Sequence, residues 1–198
     1  MAAAQEFVAR AQENIQDPER AAKIDELDPQ IAEYAATFTK VKSVQADKVK
    51  YDAQLSELGG ATVAELQEVM ESAKADGDAE SAYLAGMALS QMFEARLGVM
   101  KFLNSEDLDL GAAAKEHIGH AADATRTLLA SLQNFERRQL TTAAIDHVDG
   151  YRAALANMIE TVERKQAFVD NTLDVIGPEV ASVVEEVKLD VKADQDTL

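Results

Sequence analysis

Arg96 is out of keeping with its surroundings. On a helix its neighbours four and seven positions away are Leu89, Met92, Met100 and Leu103, so its guanidinium leaves from an apolar stripe, away from the polar side marked by Glu94 and Lys101. A charge in that place needs a partner. A carboxylate on a facing helix would supply one, as would water at a layer boundary reached by snorkelling. The third arrangement is a small carboxylate ligand gripped bidentately between helices. Arg152, among Ile145, Val148, Leu155 and Ile159, makes the same claim more weakly. Tyr83 and Tyr151 carry hydroxyls that would donate to such a ligand, although core tyrosines with a satisfied tip are the commoner case.

Other chemistry has little to stand on. The chain has no cysteine, no glycine-rich loop after a strand and no Gly-x-Ser-x-Gly elbow. Nucleophilic catalysis and phosphate cradling therefore lack carriers, and the reading is a non-enzyme with no cofactor. Glu116-His117-Ile118-Gly119-His120 has helical ligand spacing, with His117 and His120 three apart and Glu116 and His120 four apart. A carboxylate-bridged di-metal bundle needs Glu-x-x-His on two helices, and no His here has a Glu three positions before it. These histidines are read as solvated surface groups and no metal site is expected. The charges of Glu185-Glu186-Val-Lys188 and Asp190-Val-Lys192-Ala-Asp194 read as a solvated helix face.

Composition narrows the partners. Thirty-six acidic residues against 19 basic ones give a net charge of −17, which repels phosphate backbones and anionic lipid surfaces. At 198 residues and 47% hydrophobic the chain can bury a real core. No stretch approaches the ~18–20 apolar residues of a membrane span, and the N-terminus lacks signal-peptide character. Abundant alanine, three prolines (Pro18, Pro29, Pro178) and no tryptophan favour helix over sheet.

The elements carrying these residues form an internal repeat. Features between Glu33 and Asp78 recur 117–118 positions later, between Gly150 and Asp196. Each copy opens on a tyrosine, Tyr34 or Tyr151, and reaches an apolar-Gly step, Leu58-Gly59 or Ile176-Gly177. Each closes on nearly the same five residues, Lys74-Ala-Asp-Gly-Asp78 and Lys192-Ala-Asp-Gln-Asp196. Fainter echoes link Ala4–Val8 with Val99–Leu103 and Ala21-Ala22-Lys23 with Ala113-Ala114-Lys115. The Phe102 helix starts near Ala79, whereas only Met1 to Glu6 precede Phe7, so the chain is expected to begin inside a helix whose start is missing.

In order, the pattern predicts a helix over Ala2–Gln16, then a new start at Asp17-Pro18-Glu19 with Asp as cap and Pro at the first position. Asp28-Pro29 should break or kink that run. A long helix with Tyr34, Val41, Val44, Tyr51, Leu55 and Leu58 on one stripe follows, and Gly59-Gly60 should punctuate it. A short helix over Ala61–Ala75 ends at the Asp76-Gly77-Asp78 turn. The helix over Ala79–Asn104 is apolar around nearly its whole circumference and should be central. Ser105-Glu106-Asp107 caps an Ala-rich helix held by Ile118, Leu128, Leu129 and Leu132. From about Phe135 a second long helix runs with Leu155, Val162, Val169 and Ile176 seven apart, a coiled-coil-like period. Gly177-Pro178 should stop or kink it, and Val180, Val183, Val184, Val187 and Val191 stripe the last helix. Helices of 25–40 residues at ~1.5 Å per residue span roughly 40–60 Å. The expected fold is all-α, an elongated helical bundle of two stacked four-helix-type modules sharing long helices, built of related units over about 1–78 and 79–198.

Glu94-Ala-Arg-Leu-Gly-Val-Met-Lys-Phe-Leu103, the step Leu173-Asp-Val-Ile-Gly-Pro178 and the closing Val187–Asp196 together resemble the helical bimodular sensor domain of bacterial methyl-accepting chemotaxis proteins. Related input domains occur in sensor histidine kinases. The resemblance implies a periplasmic ligand-binding domain between two membrane spans of an inner-membrane receptor, working as a homodimer. It also implies a small-molecule ligand, an organic acid by the family theme, held in a positively charged pocket to which Arg96 would contribute. The competing readings are a structural helical scaffold or spacer with no small-molecule site, and a sensor that reads a periplasmic binding protein.

Overall fold

The computed structural model describes residues 17–196 together with Glu6, Ala9, Gln12, Glu13 and Ile15. Of these five, Glu6, Ala9, Gln12 and Glu13 are helical. The rest of the helix expected over Ala2–Gln16, and the start of the chain, lie outside the described residues. Among the described residues there are helices and no strand. They are α1 (Pro18–Ala75), α2 (Ala79–Ser105), α3 (Leu108–Ser131), α4 (Phe135–Phe168), a π-helical turn (Val169–Leu173) and α5 (Asp174–Asp196).

Local chemistry sets most of the boundaries. Asp17 Oδ1 accepts the Arg20 N–H at 3.0 Å, which caps α1 ahead of Pro18. Gly77 turns the chain at φ +76°, and Asp78 then caps α2 by accepting the Ser81 N–H at 3.1 Å. Asp107 caps α3 through the N–H groups of Asp109 and Leu110. A short break at Leu132–Asn134 separates α3 from α4, and Asn134 Oδ1 accepts the Arg137 N–H at 3.1 Å. Glu106 closes α2 in the left-handed region at φ 55° without being a glycine. Its N–H donates to the Phe102 carbonyl and its carboxylate pairs with Lys48.

Three expected interruptions do not end their helices. α1 runs for 58 residues through both Pro29 and Gly59-Gly60. Pro29 is exposed, while Leu27 and Ile31 on either side of it are buried, so packing of the inner face outweighs the local cost of the proline. Gly59 is itself buried against an aromatic ring, described below. Likewise Pro178 lies inside α5, and the irregularity sits upstream at Val169–Leu173.

That π turn has a reading in the repeat. Tyr34 and Gly59 are 25 residues apart, and their counterparts Tyr151 and Gly177 are 26 apart. The second copy therefore holds one extra residue, and a π turn, which bonds i to i+5, absorbs one residue without ending the helix. It lies between Tyr151 and Gly177, where the extra residue must go.

By its contacts the chain groups into two compact units, residues 1–45 with 164–198, and residues 46–163. In the first, Ile24, Leu27 and Ile31 of α1 pack with Val187 of α5, flanked by Val180, Val183, Val184 and Val191. The predicted valine stripe is the apolar face used there. In the second, parts of α1 and α4 join α2 and α3 around a core that includes Leu66, Val69, Met92, Phe102, Ile118 and Leu155. Small residues let its helices close up: a Cβ added at Gly98 on α2 would lie 3.4 Å from the Ala114 Cα on α3. The two repeat copies meet inside each unit. Tyr151 covers Gly59 in the second, and the Tyr34 ring lies 3.5 Å from the Cβ position of Gly177 in the first.

α2 is not the central helix its composition suggests. Ala85, Ala88, Met92, Ala95, Val99 and Phe102 face the core, while Tyr83, Met87, Phe93, Leu97 and Met100 are exposed. Four helices around one core give each a single inner face, and among the described residues nothing covers the outer side of α2.

Candidate functional site

Within the unit of residues 46–163, Gly59 of α1, Arg96 of α2 and Tyr151 of α4 come together. The Tyr151 ring is 2% exposed. Its Cε2 lies 3.0 Å from the point where a Cβ at position 59 would stand, and Arg96 Nε lies 3.5 Å from the same point. The missing side chain at Gly59 is thus the space that lets a phenol ring and a guanidinium meet over α1. The apolar stripe behind Arg96 accounts for its half-buried start.

Among the described residues Arg96 forms no ion pair, and its charge acts on Tyr151. Burial pushes the Tyr151 hydroxyl up to about 12, with the positive charge of Arg96 pulling the other way. The phenol is therefore protonated at any physiological pH and is available as a donor. A cation close to a phenol suits an anion with acceptor oxygens, such as a carboxylate.

The other two residues expected at such a site lie elsewhere. Arg152 follows Tyr151 directly, but its half-buried guanidinium turns to Asp149 at 3.7 Å, a carboxylate already shared with Arg126 at 3.0 Å. Tyr83 is on the exposed side of α2, opposite the core face.

A second polar cluster escaped the sequence reading. Arg137, at the start of α4, has a side chain only 4% exposed and is fully engaged. It donates to the Ser72 hydroxyl at 3.1 Å, to the Ser72 carbonyl at 3.0 Å and to Asp78 at 3.1 Å, and it also pairs with Asp76. Hydrogen bonds from Ser81 hold the Asp78 carboxyl below the usual range, and Arg137 adds to this. The cluster ties the α1–α2 turn to α4. Its signal was present, because Val148, Ala144, Thr141 and Arg137 continue one buried stripe at helical spacing toward the N-terminus of α4.

His120 is exposed as expected, whereas the other two histidines are half-buried. His147 Nδ1 meets Glu65 Oε2 at 2.9 Å, and the His117 Nδ1 is enclosed without a hydrogen-bond partner among the described residues. The His117 and His120 rings stand edge to face at 6.4 Å. Among the described residues no three His, Cys, Asp or Glu side chains are placed to hold a metal ion. No helix of the described residues is long and apolar enough to cross a membrane.

No family model matches this chain, and none of the curated proteins matches it either.

Proposed function

We propose that this chain is a ligand-binding sensor domain of the chemoreceptor type that holds a small organic acid at Arg96 and Tyr151. The observation that carries the reading is the Arg96 guanidinium, half-buried and, among the described residues, without an ion pair in a chain where acidic residues outnumber basic ones by 36 to 19. Carboxylates are abundant enough to pair every cation, so a half-buried cation left unpaired is suited to a carboxylate from outside. Tyr151 adds a protonated donor, and the missing side chain at Gly59 leaves room for the ring and the guanidinium side by side.

The remaining parts of the reading follow the resemblance: a periplasmic location, a homodimer, and an arrangement of two stacked modules sharing the long helices. Tyr151 sits on α4, which continues through the π turn at Val169–Leu173 into α5. A ligand that draws Arg96 and Tyr151 together would bias α4, and α5 is the segment that would carry the displacement toward a membrane. A plain helical spacer is the competing reading, favoured by the unbroken 58-residue course of α1.

Calorimetry and thermal shift against a panel of small carboxylates test the proposal. A ligand at ~100 times its Kd should stabilise the parent chain by about 2.7 kcal/mol. Arg96→Ala removes no ion pair, so it should leave the unliganded melting temperature nearly unchanged and abolish the ligand-induced shift. A carboxylate that binds Arg96→Ala as tightly as the parent would rule out the anchor role. A panel with no binder at all would favour the spacer.

A further inference from the structure

We propose that the outer face of α2 is a self-association surface, and that its occupant is the same face of a second copy of this chain. Tyr83, Met87, Phe93, Leu97 and Met100 are 67, 43, 50, 52 and 58% exposed. At ~100° per residue these five lie on one side of the helix, opposite the buried alanines and Phe102. Tyr83, Ser90 and Leu97 are seven apart, and Phe93 and Met100 are seven apart, the three-and-four spacing of a helix that packs along a second helix.

Area and charge select the occupant. With ~200 Å² for a large side chain, these exposures leave about 500 Å² of apolar surface on one helix. A stable pair needs roughly 800 Å² per partner. The stripe supplies the greater part of that, and its polar margins supply the remainder. Glu94 and Lys101, seven apart, border it on one side, both exposed and, among the described residues, neither in an ion pair. The face is thus electrically balanced on a molecule that carries −17 overall. Two such acidic molecules can approach there without bringing like charges together, and a two-fold contact needs a surface that complements itself. In an antiparallel pair Glu94 meets the partner's Lys101 on both sides of the axis. In a parallel pair each Leu97 meets its own counterpart. The surface gives the homodimer of the sensor reading a location, but it stands on α2 alone and not on the ligand site.

Sedimentation equilibrium should show the parent chain dimerising. Leu97→Glu should raise the dissociation constant by about tenfold or more, with an unchanged circular-dichroism spectrum because the side chain is half exposed. Tyr83→Lys, at the other end of the stripe, is an independent variant with the same expected direction. The chain has no cysteine, so introduced thiols report cleanly. Tyr83→Cys, far along the helix from a two-fold axis near Leu97, forms a disulfide with itself only in a parallel pair. A mixture of Glu94→Cys and Lys101→Cys forms the mixed disulfide only in an antiparallel one. Either disulfide supports the α2 face; the antiparallel one would at the same time contradict a receptor whose two copies enter one membrane side by side. A parent chain that stays monomeric at every concentration overturns the proposal. So does a dimer that withstands both charge substitutions and gives neither disulfide, and that second result leaves the sensor reading intact.

Discussion

Gly59 and Gly60 are adjacent in the interior of α1, yet replacing each by alanine should change stability in opposite directions. Both substitutions gain about 1 kcal/mol from helix propensity, because alanine leaves the backbone less freedom to lose. At Gly60 an added Cβ meets nothing within 4 Å, so the gain stands and Gly60→Ala should be more stable by up to about 1 kcal/mol. At Gly59 the same methyl lies 3.0 Å from Tyr151 Cε2, some half an ångström inside the ~3.5–4.0 Å of ordinary carbon contact. The ring is 2% exposed and cannot swing out to solvent. Overpacking of this kind costs about 1–3 kcal/mol, which leaves Gly59→Ala less stable than the parent by about 1 kcal/mol. The two variants should differ by about 2 kcal/mol. In a domain of this length that separates their melting temperatures by about 4–8 °C. Urea denaturation with matched m-values, alongside calorimetric melts, measures the difference. Gly59→Ala melting at or above Gly60→Ala would refute the claim that the Tyr151 ring and Arg96 occupy the space over Gly59.

Arg137→Met should cost about 2–3 kcal/mol: it removes a buried charge and leaves the Ser72 hydroxyl unpaired, while Asp76 and Asp78 stay partly solvated and limit the penalty. Chemical denaturation checks it, and a loss under 0.5 kcal/mol would show that the cluster is not holding the α1–α2 turn to α4. Tyr151 sets an alkaline limit, because the folded state keeps a proton up to about 12 that an unfolded tyrosine loses near 10. Its contribution is complete below pH 10 and is lost as the pH rises to 12, a total of about 2–3 kcal/mol. The ultraviolet phenolate signal missing from Tyr151→Phe should have its midpoint near pH 12, and a midpoint near 10 would mean that the hydroxyl is in water.

What the sequence by itself determined is what depends on neighbours within a turn or two. Asp17, Asp78 and Asp107 cap helices because their carboxylates reach N–H groups two or three residues ahead. The valines of α5 form a stripe because of their spacing alone, and the helical class follows from alanine and the scarcity of proline and glycine. Only the tertiary structure decided the rest. Pro29 and Gly59 read as breaks because propensity counts only the local cost, and burial of Leu27, Ile31 and Gly59 itself outweighs it. An apolar circumference on α2 could not say which side meets the core, since periodicity is silent where every side is greasy. Arg96 was legible as out of place, but whether a carboxylate, water or Tyr151 stood opposite depended on a residue of α4 that local pattern cannot bring near. A long-range contact is set by how whole helix faces fit, and that information belongs to no single stretch of the chain.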